Sequence, residues 1–155
     1  MKSVSERFRS LLDRIPAQLA AITEAESTKS HAPGKWSKKQ ILGHLIDSAA
    51  NNHQRFVRAQ LSTSLSFPAY AQNEWVAAQQ YQSESWPALV RLWTSYNAHL
   101  LHVLSNIPEE KWNHLCKIGE GEPVTLAFLA EDYVRHFEHH IAQILNAKSD
   151  ARAAT

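Results

Sequence analysis

The stretch LAFLAEDYVRHFEHHIAQILNAK, residues 126–148, spaces Leu126, Ala130, Tyr133, Phe137, Ile141 and Ile144 at intervals of three and four. Successive helical residues turn by about 100°, so these side chains share one apolar face, and the segment predicts a long amphipathic helix. Thr125 stands where an N-cap is wanted. The same period recurs upstream. Residues 3–26 carry Phe8, Leu11, Leu12, Ile15, Leu19 and Ile22 on one side, with Pro16 expected to kink or briefly interrupt the helix. Ser37–Gln40, SKKQ, fits a capping box and opens a second helix that runs to about residue 61. A third begins near Ser85, with Pro87 tolerated in its first turn, and stops before Pro108. Residues 27–36 and 62–70 read as loops, residues 73–81 as a short helix, and residues 113–124 as a loop or brief extended piece. Strand signals are nearly absent. Four long amphipathic helices with two longer connections give an all-α fold, a four-helix bundle.

Length agrees with one such domain over residues 1–148, followed by a polar tail at 149–155. The formal charge of +1 comes from interspersed acids and bases, so nothing here attracts nucleic acid as a partner. No run approaches the roughly 18 apolar residues of a membrane helix, and the charged N-terminus has no signal-peptide core. A single cysteine, Cys116, makes an internal disulfide impossible, and the cytoplasm is the simplest compartment. The five tryptophans read as core and boundary packing, although Trp75 and Tyr70 suit the mouth of a cleft between helices.

Nine histidines are the unusual count. On the last helix His140 lies about 70° and His136 about 110° from the centre of the apolar face, on one flank, while His139 points away. Residues four apart stand one above the other, so His136 and His140 can reach one cation. A catalytic metal site needs a third protein ligand, with His44, His53, His99, His102 and His114 as candidates. The second helix gathers Ile41, Leu42, Leu45, Ile46, Ala49, Phe56 and Val57 on its apolar face. Opposite them His44 joins a polar stripe of Asp47, Ser48, Asn51 and Arg55. That stripe is either a solvated surface or the wall of a polar cleft with His44 at its floor. His53 suits a core or boundary position, and His99 flanks the apolar side of the third helix. The pattern alone does not choose between His44 and His99.

Trp36–Ser48, WSKKQILGHLIDS, followed by Arg55, resembles the second-helix signature of the DinB-like superfamily, which includes the YfiT-like proteins. Tyr133–Ile144, YVRHFEHHIAQI, is similar to that family's fourth-helix H-x-x-H-H-x-x-Q motif. NEWV, LWTSYN and IPEEKW match its intervening landmarks in order, so the resemblance spans nearly the whole chain. It implies an antiparallel bundle, often a homodimer, that binds a divalent metal, nickel or zinc, through three histidines. By position these are His44, His136 and His140, which favours His44 over His99.

Three neutral imidazoles leave such an ion its charge and open coordination positions, the chemistry of hydrolysis or of thiol activation. The resemblance implies both a metal-dependent hydrolase and a transferase using a low-molecular-weight thiol, acting on a small-molecule substrate. Along the polar stripe Asp47 is expected to orient a ligand, with Ser48 beside it. Arg55, about three turns from His44, is placed to hold a substrate carboxylate. Two rival readings stand beside the enzyme: a stress-response module that binds a metal or small molecule without turnover, and a structural dimeric bundle with a vacant site.

Overall fold

A computed structural model of the chain describes residues 2–30 and 32–146; His31 and the polar tail read at 149–155 lie outside the described residues. Four long helices dominate: α1 (Lys2–Ala20), α3 (Lys38–Arg58), α5 (Trp86–Ser105) and α6 (Leu126–Asn146). Two short ones, α2 (Glu24–Ser27) and α4 (Gln72–Ala78), sit in the connections. α1 and α3 each pack against both α5 and α6. Lys38 Nζ donates to the carbonyl of Ile144 and Phe56 packs on Tyr133, so α3 and α6 run antiparallel. The core is the set of apolar faces read from the helical period. Phe8, Leu19, Leu42, Phe56, Leu89, Trp93, Leu100 and Phe137 are fully enclosed. Val57, expected on that face, is instead 39% exposed. Among the described residues no helix is long and apolar enough to cross a membrane.

The caps fall where the sequence places them. Ser37 Oγ accepts from the Gln40 amide while the Gln40 side chain accepts from the Ser37 amide, closing a capping box. Ser85 caps α5 and Pro87 lies in its first turn. Thr125 Oγ1 accepts from the amide of Phe128 at the start of α6. The first helix differs from expectation. Pro16 lies within α1, which runs through it to Ala20, and the chain breaks only afterwards. Thr23 and Glu26 form a second capping box that starts α2 afresh. The sequence TEAE carried that signal, but apolar periodicity ran across it.

The connections also hold more order than loops. β1 (Ser64–Phe67), β2 (Leu115–Ile118) and β3 (Val124–Thr125) form a small sheet in the order β1-β2-β3. β1 and β2 are parallel with Ser64 opposite Leu115, and β2 and β3 are antiparallel. Strands this short offer no visible period-two pattern, which hid them in sequence. Gly119 (φ 56°) turns the chain at the end of β2, and its amide donates to Phe67 O at 2.9 Å. This pins the segment after β1, which carries Ala69 and Tyr70, beside α3 and α6.

Candidate metal centre

α3 enters the bundle with apolar residues on one side and His44, Ser48, Asn52 and Arg55 on the other. None of these four is solvated: they are 1%, 4%, 8% and 9% exposed. Of the stripe read from the sequence, His44, Ser48 and Arg55 form the wall of a cleft together with Asn52, while Asp47 and Asn51 do not line it. Across it stands α6, whose apolar face turns His136 and His140 inward one turn apart, with ring centroids 4.5 Å from one another. The His44 ring lies 5.0 Å from that of His136 and 4.9 Å from that of His140. His44 Nε2 faces His136 Nε2 at 3.1 Å. One ligand atom from each of the three rings falls within 4.8 Å of the others, the one such group of three or more His, Cys, Asp or Glu among the described residues. Trp36 covers the outer side of His44, with ring centroids 5.2 Å apart.

Beside the histidines opens a cleft of about 300 Å³. α3 lines it with Ser48, Asn52 and Arg55, α6 with Leu129, Asp132 and Tyr133, and the connections with Tyr70 and Ile118.

Residues 6–144 match the DinB superfamily. The chain belongs to that superfamily. Relatives include proteins named "Putative metal-dependent hydrolase" from Oceanobacillus iheyensis, 22% identical over 94% of this chain and 83% of the relative, and from Geobacillus thermodenitrificans, 24% identical over 91% and 80%. Among solved structures, YfiT from Bacillus subtilis, described as a probable metal-dependent hydrolase with an unusual four-helix bundle topology, superposes with a TM-score of 0.75 at 22% identity, covering 95% of this chain and 87% of that one. A mycothiol-dependent maleylpyruvate isomerase superposes with a TM-score of 0.76 at 18% identity, over 92% of this chain and 60% of that one.

The donor set of this DinB-superfamily protein suits a divalent cation. An ion bound tetrahedrally at about 2.0–2.1 Å from imidazole nitrogens holds those nitrogens roughly 3.3 Å apart, close to the separation of His44 Nε2 and His136 Nε2. Both Nδ1 atoms of these rings are buried without a partner in the described protein. His140 is oriented from the far side: its Nδ1 donates to Gln143 Oε1 at 2.8 Å, which leaves the Nε2 lone pair free to ligate. The Gln143 amide in turn donates to His139 Nε2 at 3.0 Å. Gln143 was legible only as the last letter of the helix motif.

Asp47 departs from expectation. Its Oδ1 accepts from the Tyr81 hydroxyl at 2.7 Å and from the Gln79 amide, and it bonds no histidine ring. The carboxylate ties the connection after α4 to α3, and burial raises its pKa. His99, held in reserve as a ligand, packs on His53 and His102 away from the cluster. His53 is half-buried, with Nδ1 3.3 Å from the Tyr96 hydroxyl. Ser48 and Arg55 line the cleft as the stripe implied, and Tyr70 lies at its mouth against Trp75. Asp132, four residues before His136, was not singled out in sequence because the charged pair Glu131–Asp132 reads as surface.

Burial, reinforced by the neighbouring rings, lowers the pKa of His44 and of His136 to about 4, and burial lowers that of His140 as well. The rings therefore stay neutral and available as ligands at pH 7. The linkage has a definite sign. Unfolded histidine takes up a proton near its ordinary pKa of about 6.5 while the folded rings do not. Stability of the metal-free protein thus falls as pH drops from about 6.5 towards 4, by at most about 1.4 kcal/mol per pH unit for His44 and for His136, less with solvent screening. Urea unfolding of chelator-treated protein between pH 7 and 4.5 measures this. His136→Asn is expected to flatten the slope; an unchanged slope would reject the assignment.

Proposed function

We propose that the protein is a divalent-metal-dependent enzyme that acts on a small molecule in the cleft beside His44, His136 and His140, as a thiol S-transferase or a hydrolase. The observation that carries this is the convergence of three neutral, inward-facing imidazoles at the wall of a cleft large enough for a substrate. Imidazole nitrogens suit zinc or nickel. When bound, such an ion supplies Lewis acidity, which lowers the pKa of a ligated water or thiol towards neutrality and polarises an electrophile.

The chain's own residues do the rest. Burial keeps the rings unprotonated, and Gln143 fixes the tautomer of His140. Leu129, Ile118 and Tyr133 give the cleft an apolar side that excludes water and strengthens electrostatic contacts within it. Asp132 is the carboxylate among the lining residues and takes the proton released by the nucleophile. The names of the sequence relatives support water as that nucleophile, and the mycothiol-dependent isomerase of the same fold keeps a thiol beside it. The same reading has the protein act in the cytoplasm as a homodimer, which sedimentation velocity tests.

The test uses protein purified without a histidine tag and loaded with zinc or nickel. One panel offers activated electrophiles with cysteine, glutathione and other cellular thiols; a second offers aryl esters and amides with water alone. Product in either panel, lost after chelation and restored by the ion, is the expected result. Silence in both panels while the ion stays bound would put a non-catalytic binding module in place of the enzyme.

A further inference from the structure

The cleft contains a cation that the bundle does not neutralise. Arg55 is 9% exposed, and its guanidinium donates from Nη1 to Asn52 Oδ1 at 3.3 Å. Among the described residues no carboxylate lies within 4.0 Å of it. The ion pairs there join Arg7 to Glu131 and Glu138, Lys39 to Glu24, and Arg135 to Asp132. A guanidinium keeps its proton even where burial lowers its pKa, as it does here. Burying such a charge without a counter-ion is costly, so a fold that keeps one beside open space favours an anion there.

The surroundings are built to aim it. Asn52 accepts from Arg55 and donates to the backbone carbonyl of Ser48 at 2.9 Å, so Ser48, Asn52 and Arg55 form a hydrogen-bonded ladder along one wall. Tyr70 lines the same cleft and has no hydrogen-bond partner in the described protein.

We propose that the small molecule taken by this cleft carries a carboxylate, held by Arg55 with the Tyr70 hydroxyl, at the end remote from the histidines. The proposal rests on the reading above for where the reaction takes place. The charge count selects a monoanion: one guanidinium, neutral hydroxyl and amide groups, and an acid, Asp132, on the same cleft. A planar carboxylate also matches the planar guanidinium fork. Arg55 lies eleven positions after His44, an axial rise of about 16 Å, which its long side chain shortens by tilting towards the helix N-terminus. The substrate therefore separates its carboxylate from its reacting centre by a chain of several bonds, and acetate-sized acids fill only one end.

Calorimetric titration of hexanoate and of hexanamide into the full chain tests this. The protein is first treated with chelator, so that no ion competes for the carboxylate. Hexanoate is expected to bind at least about tenfold more tightly than hexanamide. That preference should disappear in Arg55→Met and persist in His140→Ala. Equal binding of the two probes by the wild type, or no binding of either, overturns the proposal without recourse to any variant. So does a preference that survives Arg55→Met. Zinc uptake is measured on the same preparations to keep the two readings apart. Protein that prefers hexanoate but takes no zinc removes the metal reading alone, and protein that takes zinc without the preference removes this one.

Discussion

Replacing His44 by alanine is expected to reduce bound zinc or nickel from stoichiometric to trace levels. His44 is the one ring that α3 contributes to the three-histidine group. Without it His136 and His140 remain as a two-nitrogen chelate on a single helix, short of the three protein ligands a site of this kind needs. The loss of affinity should exceed the roughly 10–100-fold that removal of an outer-shell partner costs. Gln143→Ala, which frees His140 Nδ1, should fall within that smaller range. His99→Ala, on α5 and packed on His53 and His102 away from the cluster, should bind as the wild type does. Elemental analysis of untagged protein after equilibration with each metal and gel filtration provides the measurement, and circular dichroism shows that the helices remain. Wild-type stoichiometry in His44→Ala would mean that the ligands lie elsewhere.

Gly43→Ala sets two effects of opposite sign against each other. Helix propensity favours alanine over glycine in a helix interior by about 1 kcal/mol. Packing opposes it. A Cβ at position 43 would lie 2.1 Å from Tyr81 Cδ2 and 2.3 Å from Cγ, inside the body of a buried ring. Tyr81 has little freedom to yield, because its hydroxyl is bonded to Asp47, one turn along the same helix face. Overpacking of this severity costs about 3 kcal/mol, so sterics should win by about 2 kcal/mol. For a chain of this size that lowers the melting temperature by about 4–8 °C. Differential scanning calorimetry decides the matter, and a variant that melts at or above the wild-type temperature would show that Tyr81 moves aside freely. The Tyr81–Asp47 anchor stands next to His44, so the same variant is expected to hold its metal less tightly.

Legibility in the sequence followed the length of the repeating signal. Each long helix presents its apolar face over four or more turns, and the bundle could be read from that period together with the caps at Ser37, Ser85 and Thr125. The break between α1 and α2 was missed because Ile22 continued the apolar period across it. β1 was missed, and β2 and β3 were read only as a loop or brief extended piece, because strand order comes from partners distant in sequence and not from local alternation. The polar stripe on α3 was visible, but a solvated face and a cleft wall carry the same letters; only α6 and Tyr70 packing against it distinguish them. Likewise a helical wheel places His136 and His140 together, whereas His44 joins them only through the fold. Asp47 was read by its proximity to His44 along α3, and the competing donors Tyr81 and Gln79 come from a connection whose path the sequence does not reveal.

His44 and His136 are separated by 92 positions along the chain, and the strand that bears Ile118 meets β1 only after α4 and α5 have intervened. Bringing such distant segments together costs loop-closure entropy before any contact rewards it, which places these pairings late in folding. A ribosome must therefore release α6 before the three rings can meet, and an ion has no early nucleus to stabilise. The proposed metal would consequently load only after the bundle has matured, unlike in small domains that take shape around their ion.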